Sequence, residues 1–253
     1  MSRIKTAFND QAKIAYLTAG DGGQERSVDY FLALASGGVN LLEIGIPYSD
    51  PVADGPVIQA AMERSLLAGT TVKSSLDIIR KIRQQSEVAI IVFTYYNPIH
   101  HDLYSFLADA KSAGADGILI VDLPYEESAN YHHYCRQLNL APITVIAPST
   151  NPERMKYLLA KIDTGFVYYA CQKGTTGARD VLPSDLADQL KLLRQATKLP
   201  LAVGFGIADN KMVKQILSLA DGCVVGSYLV RQLENEISPA ELTKITKELF
   251  DVA

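Results

Sequence analysis

Short apolar runs alternate with helical patterns from one end of the chain to the other, and this alternation constrains the fold more than any other feature. Strands that alternate with helices are parallel and are joined by right-handed crossovers. Continuous apolar runs are typical of strands that are buried on both faces. We predict eight such strands, at KIAYLT (13–18), LLEIGI (41–46), AIIVFTY (89–95), GILIVD (117–122), PITVIA (142–147), GFVYYA (165–170), LAVGF (201–205) and GCVVG (222–226).

Helix signals lie between these strands, in QERSVDYFLALASGG (24–38), SSLDIIRKIRQQ (74–85), HDLYSFLADAKSAGA (101–115), NPERMKYLLAKI (151–162), PSDLADQLKLLRQAT (183–197) and DNKMVKQILSLA (209–220). A helix is predicted to end at Gly37-Gly38, others to begin at Asn151-Pro152 and Pro183-Ser184, and a C-terminal helix to begin after Ser238. An open, doubly wound sheet is the alternative to a closed barrel. Nearly regular units without a linker or a composition break favour closure. The sequence therefore predicts an α/β fold, a single (β/α)₈ TIM-barrel domain over residues 1–253 with a short N-terminal extension and a C-terminal helix.

Charge and composition exclude several classes of protein. The net charge is −4 and no basic run is present, which argues against a nucleic-acid partner. The apolar stretches are shorter than the roughly 20 residues that cross a bilayer, and the N-terminus lacks an apolar signal core. The cysteines, Cys135, Cys171 and Cys223, form no CxxC pair, so we expect a reduced, cytoplasmic compartment.

Glu43 is a carboxylate inside the second predicted strand. Because side chains alternate across a strand, Leu42, Ile44 and Ile46 are expected to face the helices and Glu43 the barrel interior. A buried acid is costly unless it is paired, protonated or used. Position alone leaves a structural acid and a proton-transfer group about equally open, although apolar surroundings would raise the pKa of such a group towards neutrality.

The loop after this strand contains Asp50, Asp54 and three prolines, Pro47, Pro51 and Pro56. Prolines restrict the loop and hold any functional side chain in place. Asp54-Gly55 is also ordinary turn chemistry, and for Asp54 alone that reading is the stronger one. Two carboxylates, one buried and one near the barrel mouth, could instead divide acid and base roles.

Glycines follow the last three predicted strands, in KGTTG (173–177), GFG (204–206) and GS (226–227). Glycines let the backbone approach a ligand, and amides at a helix start attract anions. Phosphate sites in these barrels commonly lie after strands 7 and 8. The three motifs together predict a phosphorylated small molecule as the ligand.

Other chemistry lacks the residues that it needs. Lys173 lies in a loop rather than at a strand end, which argues against a Schiff base. The histidines form two adjacent pairs without metal-ligand spacing, and no Walker A or dinucleotide-binding fingerprint is present. The reaction is therefore expected to depend on carboxylates, hydroxyls and hydrogen bonds, with no metal.

The stretch EIGIPYSDPVADGPVIQ (43–59) resembles the signature ExGxPxSDPxADGPxIQ of the alpha subunit of tryptophan synthase. The resemblance covers essentially the whole chain. It implies a lyase that cleaves indole-3-glycerol phosphate to indole and glyceraldehyde 3-phosphate. Further matches are YYNP (95–98), DLPYEES (122–128), APST (147–150), GTTG (174–177), VGFGI (203–207) and VGS (225–227).

The resemblance also implies residue roles. Glu43 corresponds to the family's proton-transferring glutamate, and Asp54 to the aspartate that binds the indole N–H. Tyr168 corresponds to a tyrosine that orients the glutamate. The implied phosphate-binding residues are Gly177, Gly206, Gly226 and Ser227, and the implied indole-pocket residues are Tyr16, Ile58 and Tyr95.

The implied partner is the beta subunit of tryptophan synthase, in an alpha2beta2 heterotetramer. That subunit holds pyridoxal phosphate, so no cofactor is expected in this chain. Pro47 and Asp50 correspond to positions that contact the partner, and the loops after strands 2 and 6 to a lid.

Two departures from the family lie near the N-terminus. GDGG (20–23) replaces the usual Gly-Asp-Pro after strand 1, from which we expect a looser loop. The segment before strand 1 is shorter than is typical, which leaves open whether it forms the family's helix below the barrel. Two other functions are weighed: a different phosphosugar isomerase or epimerase, and an inactive barrel that only activates a beta subunit.

Overall fold

In the computed structural model, which describes residues 2–171, 182–204 and 206–252, the strands form one parallel sheet. Its order is β5-β4-β3-β2-β1-β9-β8-β7-β6. The two end strands are consecutive in the chain, so the sheet closes on itself as a barrel. The closed order confirms the predicted (β/α)₈ fold and excludes the open doubly wound sheet. The strands are β1 (Ala12–Thr18), β2 (Leu41–Gly45), β3 (Ala89–Thr94), β4 (Gly117–Ile120), β5 (Ala141–Pro142), β6 (Thr144–Ile146), β7 (Val167–Ala170), β8 (Leu201–Gly204) and β9 (Gly222–Val225).

The fifth predicted strand, 142–147, is divided into two short strands at Ile143. β5 pairs with β4, whereas β6 pairs with β7. The Ile143 amide still donates to the Ile118 carbonyl at 2.9 Å. Pro142 has no amide hydrogen to donate, so the ladder is weakened where the chain changes partner.

The helices follow most of the predicted signals. Asn151 and Ser238 cap their helices with side-chain oxygens, and Glu241 completes the capping box. The helix predicted from Pro183-Ser184 begins later, at Leu186, because a turn closes first between the Leu186 amide and the Pro183 carbonyl. The helices are α1 (Arg3–Phe8), α2 (Gln24–Ser36), α3 (Pro56–Leu67), α4 (Val72–Arg83), α5 (Leu103–Ala113), α6 (Ala129–Gln137), α7 (Pro152–Leu159), α8 (Leu186–Ala196), α9 (Asn210–Leu217), α10 (Ser227–Glu234) and α11 (Pro239–Leu249), with 3₁₀ turns at His100–Asp102 and Tyr125–Glu127.

The short N-terminal segment forms α1, which closes the bottom of the barrel. Ile4 and Ala7 are buried in the cluster formed by the first inward-facing residues of the strands. Phe8 packs on Phe166, with ring centroids 5.1 Å apart. The N-terminal segment is therefore long enough to form the helix below the barrel, a point that its sequence left open.

The loop after β1 is held firmly, contrary to the looseness expected from its glycines. The Gly20 amide donates to the Ser27 hydroxyl at 3.0 Å, and Asp21 pairs with Arg64 at 2.8 Å. Gly20 has φ +81°, and a Cβ there would lie 2.0 Å from the Thr70 hydroxyl. Glycine at position 20 therefore permits a close, positive-φ packing that tightens the loop.

The inward and outward faces of β2 are those predicted. Leu42, Ile44 and Ile46 belong to the cluster between the sheet and the helices. Glu43 lies on the opposite, inward face, beside Tyr16 of β1 and Ile91 of β3 in the strand register. The strand thus delivers one carboxyl group into the barrel.

Candidate active site

A cavity of about 650 Å³ opens at the carboxyl ends of the strands, where barrels of this type carry their chemistry. Glu43 and Asp54 reach it from one side, and Gly206, Gly226 and Ser227 lie on its wall. The remaining lining residues are mostly apolar: Tyr16, Val52, Ala53, Ile58, Phe93, Leu119, Val121, Val145, Ala147, Ser149, Tyr168, Ala170, Gly204, Ile207 and Val224.

Glu43 is 1% exposed and lies in surroundings that favour its neutral form. Its Oε1 atom accepts no hydrogen bond from any residue that the structure describes. Burial raises the pKa of Glu43 to about 8. At neutral pH the side chain is therefore a carboxylic acid that can give up a proton.

Two tyrosines flank this acid, and each occupies space left by a glycine. A Cβ on Gly45 would lie 2.2 Å from the Tyr16 hydroxyl, and a Cβ on Gly204 would lie 2.2 Å from the Tyr168 hydroxyl. The negative charge that Glu43 can carry contributes, after burial, to raising the pKa of Tyr168. Tyr168 thus remains a neutral hydroxyl that can donate or accept near Glu43.

Asp54 is 2% exposed, and a short hydrogen-bonded loop fixes its position. The Tyr95 hydroxyl donates to Asp54 Oδ2 at 2.7 Å and accepts from the Ala53 amide at 3.0 Å. The Gln59 side-chain amide donates to the backbone carbonyl of Asp54 at 2.8 Å. Burial raises the pKa of Asp54 to about 6, and the Tyr95 hydrogen bond acts in the opposite direction. Asp54 is therefore ionised at pH 7, where Glu43 is neutral.

The phosphate-side residues lie together where β8 and β9 end. Gly206, Gly226 and Ser227 line the cavity, and Ser227 is the first residue of α10. The first amides of a helix have no acceptor within it, and the helix dipole favours an anion there. Gly177 lies outside the described residues.

The cavity-lining residues do not include Tyr95, predicted for the indole pocket, or Pro47 and Asp50, predicted to contact the partner. Tyr95, which the resemblance places in the indole pocket, is fully buried behind Asp54 and supports that carboxylate. Pro47 is buried, whereas Asp50 is exposed on the outer part of the loop. Tyr16 and Ile58 do form part of the cavity wall.

Much of the apolar wall of the cavity was not predicted from the sequence. Phe93 packs edge-on against Tyr16, with centroids 5.4 Å apart and planes at 77°. Leu119 and Val145 face inward from β4 and β6, and Ile207 follows β8. Strand alternation, which placed Glu43, would also have found Phe93 and Leu119. These residues make this part of the cavity wall apolar.

Residues 2–171, 182–204 and 206–252 show neither a metal-binding cluster nor a membrane-spanning helix. This part of the chain contains no group of three or more His, Cys, Asp or Glu side chains placed to hold a metal ion. None of its helices combines the length and the apolar character needed to cross a membrane.

Comparison with known proteins agrees with this geometry. The sequence profile of the family described as "Tryptophan synthase alpha chain" matches residues 2–251. The chain belongs to the tryptophan synthase alpha chain family. The tryptophan synthase alpha chain of Coxiella burnetii (strain CbuK_Q154) is 48% identical over 250 residues, which are 98% of this chain and 97% of that protein. The tryptophan synthase alpha chain of Chlamydia felis (strain Fe/C-56) is 43% identical over 254 residues, with 98% of each chain covered.

Solved structures of the tryptophan synthase alpha chain family share the fold. A chain of Mycobacterium tuberculosis tryptophan synthase superimposes with a TM-score of 0.89 at 32% identity, covering 98% of this chain and 95% of that one. Tryptophan synthase subunit alpha from Legionella pneumophila str. Paris gives a TM-score of 0.88 at 32% identity, covering 98% of this chain and 97% of that one. The chain therefore has the role of a tryptophan synthase alpha subunit, an enzyme of tryptophan biosynthesis. The known function of the family is to cleave indole-3-glycerol phosphate and to pass indole to the beta subunit.

Proposed function

We propose that this chain is a carbon–carbon lyase in which Glu43 moves the protons and Asp54 stabilises the charged ring. One observation carries the proposal: a buried neutral acid, whose Oε1 atom has no hydrogen-bond partner among the described residues, and an ionised carboxylate line the same mostly apolar cavity. Groups whose environments push their pKa values apart are suited to different acid–base roles.

The proposed reaction needs one proton donor that is recovered in the same turnover. Neutral Glu43 gives its proton to C3 of the indole ring, which makes the ring a cation with a C=N bond. The resulting Glu43 carboxylate then takes the proton of the glyceryl hydroxyl next to the breaking bond. That oxygen forms the aldehyde C=O while the C–C bond breaks, and the bonding electrons return to the ring to give neutral indole. Glu43 is protonated again at the end, so a pKa near 8 suits both steps.

Asp54 is assigned the role of binding the indole N–H. Its carboxylate accepts that hydrogen bond and stabilises the positive charge that the ring acquires when C3 is protonated. The Tyr95 hydrogen bond fixes the carboxylate before the substrate arrives, so that little reorganisation is needed. Tyr168 is assigned the role of orienting the Glu43 side chain.

The phosphate is assigned to the part of the cavity at the ends of β8 and β9. Gly206, Gly226 and Ser227, together with Gly177, would bind it through backbone amides and one hydroxyl. Tyr16 and Ile58 would contact the ring, and Phe93 joins them in that role. No group in this assignment requires a cofactor in the chain.

The proposed partner is a tryptophan synthase beta subunit that carries pyridoxal phosphate, in an alpha2beta2 heterotetramer in the cytoplasm. Asp50 is exposed and Val52 is 75% exposed at the cavity mouth, which supports a partner at the loop after β2. Pro47 is buried and would contribute by fixing the loop. This loop is proposed to close over the substrate, whereas residues 172–181 of the other predicted lid loop, after β7, lie outside the described residues.

A steady-state indole-release assay tests the proposed function, with indole-3-glycerol phosphate as substrate and with and without a beta subunit. We expect indole and glyceraldehyde 3-phosphate in equal amounts. Isomerisation or epimerisation without indole would replace the proposal by a phosphosugar enzyme. Faster serine turnover by the beta subunit without any cleavage would indicate an inactive activator.

The pH dependence of kcat/KM for indole release should be bell-shaped. Activity should rise with pH through about 6 as Asp54 ionises, and fall through about 8 as Glu43 loses its proton. In Tyr95→Phe, loss of the hydrogen bond that lowers the pKa of Asp54 should move the acid limb to higher pH and leave the basic limb in place.

The Tyr95→Phe variant also distinguishes the titration of Asp54 from the titration of the substrate phosphate. The substrate phosphate also titrates at about pH 6, but that titration does not depend on Tyr95. An acid limb that stays where it is in Tyr95→Phe would assign it to the phosphate and count against the assigned charge state of Asp54.

Ser227→Ala should act mainly on substrate affinity. Loss of one hydrogen bond to a charged phosphate costs about 1.5–3 kcal/mol, so we expect KM to rise roughly 10- to 100-fold with kcat little changed. Steady-state kinetics and competition by inorganic phosphate measure the effect. A change in kcat alone would remove Ser227 from the phosphate site.

A further inference from the structure

Arg64 joins three segments that each lead to the cavity. On α3, its Nε and Nη2 atoms donate to the two oxygens of Asp21 at 2.9 and 2.8 Å. Its Nη1 atom lies 3.7 Å from an oxygen of Glu234, the last residue of α10. Asp21 belongs to the loop after β1, and its side chain is only 5% exposed. One guanidinium group therefore connects the loop after β1 with α3 and α10.

Each of these segments carries part of the proposed site. β1 presents Tyr16 to the cavity, and its loop contains Asp21. α3 begins two residues after Asp54 and carries Ile58. α10 begins with Ser227 at the phosphate side. The contacts of Arg64 therefore link the ring side of the site to its phosphate side.

Neighbouring contacts make this connection stiff. The Ser65 hydroxyl donates to the Ala19 carbonyl, and the Thr70 side chain fills the space beside Gly20. α3 is a continuous 12-residue helix with Pro56 in its first turn, so Arg64 and Ile58 lie on one hydrogen-bonded element. A displacement at Arg64 would therefore be transmitted to Asp54 and Ile58.

Arg80 does not have this arrangement. Arg80 pairs with Asp77 within α4, so that contact joins no two elements. Its side chain is 44% exposed, close to the 38% of Arg64. Arg80 therefore offers a control of similar exposure for a substitution at Arg64.

We propose that Arg64 is a positioning residue that sets the spacing between the ring site and the phosphate site. The inference rests on the proposed function, because it assumes a substrate that carries a ring at one end and a phosphate at the other. Arg64 touches neither end. Its planar fork holds Asp21 with two parallel hydrogen bonds, a geometry that the ammonium group of lysine cannot reproduce.

The proposal distinguishes a joined ligand from its separate halves. Each half needs only its own part of the site, whereas the joined ligand needs both parts at the correct spacing. A misplacement of about 1 Å can cost about 100-fold in reaction rate at an enzyme site, and we expect a comparable penalty for a ligand that must reach both parts. Loss of Arg64 should therefore weaken the joined ligand far more than either half.

The test measures binding by titration calorimetry in the full chain. The joined probe is indole linked to a phosphate by a propyl chain without hydroxyl groups, which cannot be cleaved. The separate probes are indole and propyl phosphate. In Arg64→Met we expect the joined probe to bind about 10- to 100-fold more weakly and each half to change less than about twofold. Arg80→Met should leave all three probes unchanged.

Two further variants complete the test. Arg64→Lys should recover little of the lost affinity, because it restores the charge but not the fork. Asp21→Asn should resemble Arg64→Met, and the double variant should be no weaker than either single variant. If Arg64→Met does not fold, Asp21→Asn with the same three probes provides the measurement.

Equal weakening of the joined probe and both halves would show a merely structural role and overturn the proposal. An unchanged joined probe in a folded variant would also overturn it. The proposed lyase reaction fails separately, if the unsubstituted chain binds the joined probe but releases no indole from indole-3-glycerol phosphate.

Discussion

Glu43→Gln is expected to lower the rate of indole release at pH 7 by about 10³- to 10⁴-fold, because it removes the proton donor and the base of the proposed reaction together. Glutamine fills nearly the same volume, so the cavity and its phosphate side should be preserved. Binding of propyl phosphate should change less than about twofold, as is usual for substitutions at a distance. Steady-state indole release and calorimetry measure the two quantities.

Glu248→Gln provides the matched control for this substitution. Glu248 lies on α11 with a side chain that is 68% exposed, and it does not line the cavity. It should retain full activity. Indole release by Glu43→Gln at the rate of the control would refute the role of Glu43.

Glu43→Gln should also be more stable than the unsubstituted chain at neutral pH. The pKa of Glu43 is about 8 in the folded chain and about 4.5 when exposed, so the unfolded state loses this proton first as pH rises. The contribution of Glu43 to the free energy of unfolding is fully present below about pH 4.5. It decreases as pH rises from about 4.5 to about 8. Glutamine cannot ionise, so the free energy of unfolding of Glu43→Gln does not decrease in this way. Relative to the unsubstituted chain, it should be higher at pH 7 than at pH 4 by on the order of 3 kcal/mol.

Denaturant unfolding of both proteins between pH 4 and pH 9 measures this difference. A variant that loses activity and gains stability together would show that burying the acid costs stability and serves the reaction. A stability difference that does not change with pH would mean that Glu43 ionises as an ordinary exposed acid.

Asp54→Asn is expected to lower kcat by about 10²- to 10³-fold. Asparagine keeps an oxygen that can accept from the indole N–H, but it lacks the charge that stabilises the protonated ring. Ground-state binding of indole should therefore change much less than kcat. The measurement is steady-state indole release, with indole binding measured by calorimetry.

Asp50→Asn is the matched control for this second substitution, because Asp50 lies on the same loop but is exposed and outside the cavity. In the absence of a beta subunit it should leave kcat unchanged. Equal losses in the two variants would attribute the effect to the loop as a whole and contradict the assigned role of Asp54.

Strand periodicity predicted the barrel and the orientation of Glu43 because both are local consequences of alternation and burial. The division of the fifth strand was not predicted, since it depends on which neighbour each half pairs with. Residues 142–147 read as one apolar run, and only the pairing of Pro142 with Ile118 and of Thr144 with Val167 reveals the break.

Two helices escaped prediction for a different reason. α3 follows the proline-containing loop, and its exposed Leu66 and Leu67 obscure the amphipathic pattern. α6 is rich in residues of modest helix propensity, in ANYHHYCRQ. In both cases packing against the barrel overrides a weak local signal.

The supporting contacts of the site were also beyond the sequence. The Tyr95 hydroxyl reaches Asp54 across 41 residues, and Arg64 reaches Asp21 across 43. Such pairs have no spacing signature, because they arise only when the barrel closes. The resemblance places Tyr95 in the indole pocket, but the hydrogen bond of its hydroxyl to Asp54 was not predicted from the sequence.

The central claim is that Glu43 is a neutral acid inside the barrel at neutral pH, and its own titration tests this most directly. Carbon-13 NMR of chain labelled at the glutamate side-chain carboxyl, with the Glu43 signal identified by its loss in Glu43→Gln, follows that titration. We expect a midpoint near pH 8. A midpoint near 4.5, the value of an exposed glutamate, would contradict the proposed proton transfer.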